Sequence, residues 1–139
     1  MSFYNPAKTN PKARVQSFTV STTLPYTDPA SANYYNNIFW LAPAKCVVDS
    51  VEARWGTASS SGTVTVHKVP SGTAAGSGTD LLASTISTAG TAATKTAGTL
   101  SSTKATLELA AGDGLQLVDS GTLTNLVDLN VTVGLHWIN

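Results

Sequence analysis

Apolar and polar positions alternate most regularly in the last third of the chain. Leu107 and Leu109 flank Glu108, the run breaks at Ala110-Ala111-Gly112-Asp113-Gly114, and Leu115 and Leu117 resume it around Gln116. The pattern predicts two half-buried strands joined by a glycine turn. A further strand is predicted from Leu129, with Leu129, Val131, Val133, Leu135 and Trp137 on one face and Asn130, Thr132, Gly134 and His136 on the other. So long an alternation fixes its own register, because a one-residue slip would turn every apolar side chain into solvent.

Two of the earlier strands are shorter, and the one between them is longer. Ile38 to Ala42 is an apolar run ended by Pro43, and Thr63 to Val69 alternates Val64 and Val66 with Thr63, Thr65 and His67 before Pro70 stops it. Between them, Cys46 to Trp55 places Val47, Val51, Ala53 and Trp55 on one parity and Ser50, Glu52 and Arg54 on the other. Asp49 interrupts the apolar parity, which marks a bulge or a rim position. All eleven glycines lie at or beyond Gly56, several in a Gly-Thr context such as Ser61-Gly62-Thr63, Ser77-Gly78-Thr79 and Ser120-Gly121-Thr122. Glycine offers the positive φ of a tight turn and threonine suits the strand that follows, so many short antiparallel strands are expected. Residues 71–102 are small and polar apart from Leu81, Leu82, Ile86 and Leu100, and are expected to form strands of modest burial, with one helical turn possible around Asp80 to Ser84.

Residues 1–33 differ from the rest. Pro6, Pro11, Pro25 and Pro29 forbid a continuous helix and disfavour a central strand, although Val15 to Val20 suits a sheet edge. The segment reads as an extended arm, with residues 34–139 as the folded domain. No stretch sustains a three-to-four-residue apolar period, so the expected fold is all-β: roughly seven to nine strands in an antiparallel jelly-roll or related Greek-key β-sandwich.

Charge changes the picture by its scarcity. Eight basic and eight acidic residues cancel, and only 12% of the 139 residues are charged. Such a surface suits coverage by partners, and the lack of a basic excess argues against general nucleic-acid binding. No stretch has the length of apolar sequence a membrane span requires, and no signal peptide is expected. Cys46 is the sole cysteine, so no intrachain disulfide forms.

Candidate chemistry is sparse. Hydrolysis needs a nucleophile, a base and a group that orients the base, yet the only histidines, His67 and His136, fall at positions facing away from the core. No enzyme activity and no cofactor are expected. Cys46, His67 and His136 lack the spacing of a zinc site, and Cys46 reads as a small buried hydrophobe. Asp113 sits in a turn where its carboxylate accepts a local backbone hydrogen bond, which explains it without calcium, whether or not Asp119 and Asp128 lie near. Trp40, Trp55 and Trp137 are the possible stacking platforms for a sugar, but Trp55 and Trp137 run in phase with aliphatic neighbours and read as core or interface.

The segments Leu41-Ala42-Pro43-Ala44-Lys45-Cys46-Val47-Val48, Lys68 to Thr79, Gly98 to Ser102 and Leu107 to Leu117 resemble small virion proteins of tailed bacteriophages, of the head decoration, cement or fibre-associated type. The resemblance runs from about Tyr35 to Ile138. It implies a structural role on the outer capsid surface, a homotrimer at threefold positions of the shell, the major capsid protein as partner, and no catalytic residue. The arm lies outside the resemblance, and its contacts are expected from its own residues: Phe3, Tyr4, Phe18 and Tyr26 bury apolar area and Lys8, Lys12 and Arg14 meet acidic shell surface, while the run Ile38 to Leu41, with Ile38 and Trp40, helps join subunits. The competing expectation is a tail-fibre, baseplate or other receptor-binding virion protein whose loops take a glycan near Trp40. A minor tail-tube or head-completion component is a third.

Overall fold

A computed structural model describes residues 17–23 and 36–138. Among them are ten strands and one helical turn: β1 Ser17–Thr23, β2 Asn37–Leu41, β3 Cys46–Arg54, β4 Thr63–Val69, β5 Thr79–Asp80, β6 Ile86–Ser87, β7 Thr96–Ala97, α1 Lys104–Leu107, β8 Glu108–Leu109, β9 Gly114–Ser120 and β10 Asn130–Trp137. They form two antiparallel sheets packed face to face. One has the order β1-β10-β3-β7, with β8 also pairing β3; the other has the order β2-β9-β4-β5, with β6 also pairing β4.

The alternations predicted from the sequence place the core. Val131, Val133 and Leu135 of β10 and Leu115 and Leu117 of β9 are buried, as are Val64 and Val66 of β4. Each sheet contributes one apolar face, and the hydrophobic effect drives the two faces together. Of the four bulky residues in the glycine-rich middle, Leu81, Leu82 and Ile86 are buried and Leu100 packs against the core half-buried. Their strands are two residues each, so that region follows the core rather than building a broad sheet.

Several details differ from the sequence expectation. Asp49 is a bulge: Ser50 pairs with Gly134 and Val48 with Leu135, so Asp49 is the extra residue on β3. The bulge reverses the parity, and Cys46 and Val48 point into the core while Val47, expected there, is only half-buried. The strands either side of the 110–113 turn do not pair with each other. Leu109 lies opposite Cys46 in the first sheet and Gly114 opposite Leu41 and Val69 in the second, so the turn carries the chain across the sandwich. The helical turn falls at 104–107, just before β8, whereas the stretch expected to hold one, 80–84, ends β5 and bridges Leu82 to Leu100. Lys68 explains the new site in part, since its Nζ donates to the carbonyls of Ala105 and Glu108 at 2.8 and 3.1 Å.

Glycine serves two different needs. Gly121 has φ +78° at the end of β9, and a Cβ there would also lie 2.7 Å from the Ser61 carbonyl. Gly78 has no unusual φ; it lies so near β4 that a Cβ would sit 2.6 Å from the Lys68 carbonyl. Of the expected arm, Ser17–Thr23 is a strand of the first sheet, paired with β10 from Ser17 opposite His136 to Thr23 opposite Asn130. The arm's other residues lie outside the described ones.

Candidate interaction surface

β1 and β2 are the outer strands of the two sheets at the same side of the sandwich, and an aromatic cluster joins them. Phe18 alternates inward from β1 and stacks on Trp137, with centroids 4.1 Å apart and planes 17° from parallel. It also meets Trp40 of β2 at 5.8 Å, tilted by 49°. All three rings are half-buried, and both geometries are favourable for aromatic pairs. Phe18 and Trp40, expected as partner contacts, are thus brought together within one aromatic cluster.

Ile38 and Leu41 remain open. They are the exposed large hydrophobic side chains of the described residues, with 40% and 62% of their surface accessible. Beside them is a hollow of about 200 Å³ bounded by Val69, Pro70, Gly72 and Gly114. The absence of a side chain at Gly114 forms part of it, since a Cβ there would lie 3.1 Å from Ile38 Cγ2 and 3.4 Å from Leu41 Cδ2. Leu41 ends the apolar run, Ile38 to Leu41, expected to join subunits. Its place at the end of an apolar run gave no sign of which way it would face. Phe3, Tyr4, Lys8, Lys12, Arg14 and Tyr26, the other expected contacts, lie outside the described residues.

The polar candidates are explained one by one. His136 Nδ1 lies 2.8 Å from both carboxylate oxygens of Asp49, an exposed pair that the bulge brings together across β3 and β10. His67 Nε2 is 4.0 Å from Asp80, too far for a hydrogen bond. The carboxylate of Asp80 instead accepts from the Thr65 hydroxyl and, at 2.9 Å, from the Leu82 amide. Asp113 accepts from the Ala110 amide at 2.9 Å, the local bond expected of it, and from the Ser71 amide at 3.1 Å. Those bonds tie the crossing turn to the end of β4, with the Gly112 amide donating to Ala42 at 2.7 Å. Cys46 is buried, and burial pushes its thiol above the ordinary 9.0, with the negative charge of Asp113 adding to the effect. A thiol held neutral in this way is a packing group rather than a nucleophile. Trp55 is buried too, its indole N–H donating to the Gly90 carbonyl at 3.3 Å. Among the described residues, no three histidine, cysteine, aspartate or glutamate side chains converge.

The described residues thus form a two-sheet body with an open apolar patch at Ile38 and Leu41. No known protein family matches the chain, and no curated protein matches its sequence.

Proposed function

We propose that this chain is a structural protein of a virion, a decoration or cement protein on the outer capsid surface, built as a jelly roll. The strand order supports the jelly-roll reading. Counting β5 with β6 and β7 with β8 as two interrupted strands, the order is first, eighth, third, sixth in one sheet and second, seventh, fourth, fifth in the other, the wrap of two Greek keys.

The observation that carries the functional reading is the exposed pair Ile38 and Leu41 beside a small hollow, on a chain with few charges. An open apolar patch of this kind marks a contact surface. In the proposed assembly, β2 of each copy faces the axis of a homotrimer, and Phe3, Tyr4, Lys8, Lys12 and Arg14 reach to the major capsid protein. Repetition across three copies makes release slow even where each contact is modest. The competing reading, a tail-fibre or receptor-binding protein that stacks a sugar on Trp40, has less support, because that ring is half-buried and leans on Phe18.

Cryo-electron microscopy of the source particle tests the proposal. The expected density lies on the icosahedral shell, in groups of three, in many copies. Density confined to the tail or a fibre tip would overturn it in favour of receptor binding.

A further inference from the structure

Exposed sheet edges invite pairing with other chains, and three of the four edges in this sandwich are blunted. β5 and β6 on one sheet and β7 and β8 on the other are two residues each. β2 is irregular, its register against β9 shifting between Ile38 and Trp40. Short strands and bulges are the usual defences of an edge, together with charge and proline.

β1 has none of these defences. It is seven residues long, Ser-Phe-Thr-Val-Ser-Thr-Thr, without charge, proline or glycine, and it pairs with β10 in unbroken register throughout. Among the described residues, nothing pairs with its other side. The composition is high in β-branched and aromatic residues, which makes it a template for strand addition.

We propose that the occupant is a second copy of the same strand, so that two copies join β1 to β1 antiparallel about a twofold axis and continue the sheet across both. The strand is self-complementary in one register above others. With Val20 opposite its own copy, Thr19 faces Ser21, Phe18 faces Thr22 and Ser17 faces Thr23, and all seven residues are paired. The exposed row Ser17, Thr19, Ser21 and Thr23 then meets the same row of the other copy, and the half-buried row of Phe18, Val20 and Thr22 meets its own. Hydroxyl-bearing residues oppose one another, no like charges meet, and a one-residue slip would set the inner row against the outer. A twofold axis requires this kind of isologous match. The inference rests on the fold alone, so the location of the chain on a particle tests the virion reading without testing this one.

The test is the mass of the full chain in solution, followed by light scattering and sedimentation over a wide range of concentration. The wild type is expected to show a twofold step in mass, from monomer to dimer or from trimer to a pair of trimers. Two double variants on the exposed row probe the register. T19K/S21K opposes lysine to lysine twice and should weaken the step by about tenfold. T19K/S21E opposes lysine to glutamate twice and should restore it, less so at high salt. Both positions face solvent, and circular dichroism with a thermal melt checks that each variant keeps the sandwich. A wild type without the twofold step, a T19K/S21K variant that pairs as well as wild type, or a T19K/S21E variant as weak as T19K/S21K would each overturn the proposal.

Discussion

Phe18 touches both tryptophans that flank it, one from its own sheet and one from the other, so a single side chain of β1 links the two sheets. Phe18→Ala is expected to cost about 2 kcal/mol in urea unfolding, less than the ~3–5 kcal/mol for truncating the fully buried Trp55, because the Phe18 site is half open and water can fill it. Cys46 gives a pH dependence whose sign follows from its raised thiol. Its neutral form is held in the folded chain, so the contribution is fully present below the ordinary 9.0 of the unfolded thiol and is lost as pH rises through the higher folded value. Between pH 7 and 10.5 the wild type should lose more stability than Cys46→Ala, and parallel curves for the two would refute this. Asp49 shows what single residues disclose beforehand. Its charge in an apolar parity announced an irregularity, but only the pairing of Ser50 with Gly134 and Val48 with Leu135 reveals that everything before it changes face.

Strands with unbroken alternation, β10 above all, were legible because burial on one face forces a period of two. The segment between β9 and β10 was not. Leu123 and Leu126 are fully buried there without any strand to impose a period, and Asn125 and Asp128 take positive φ to turn the chain around them. Partner strands were equally hidden, since a glycine turn looks the same whether it closes a hairpin or, as at 110–113, crosses between sheets. The candidate surface was legible in part: Ile38 stood out in sequence, whereas the exposure of Leu41 depends on β2 lying at an edge. The same pairing decides how the expected arm is tested. Removing residues 1–33 also removes β1 and opens β10, so shell binding and folding would fail together. Removing residues 1–16 separates them: the melting temperature should stay close to wild type while binding to isolated shells falls. Removing 1–23 should lower the melting temperature as well, because seven cross-strand pairs and the Phe18 stack are lost. Shell binding unchanged without residues 1–16 would exclude the arm from attachment.

The described residues form a two-sheet body with an apolar patch at one side, in a chain of few charges. Leu41→Asp is expected to leave stability within about 0.5 kcal/mol of wild type, as for exposed positions generally, while preventing the proposed trimer. A trimer of normal mass by sedimentation would remove β2 from the proposed axis. The pairing of β1 with β10 also has a consequence in time. Ser17 finds its partner at His136, 119 residues further along the chain, so during synthesis β1 leaves the ribosome long before β10 exists for it to pair with. Closure of that sheet must wait for β10, and contacts so distant along the chain place refolding of the sandwich in the slow range typical of β-sandwiches, about milliseconds to seconds. Until then an uncharged, strand-forming segment is offered on both sides, and crowded nascent chains meet it first.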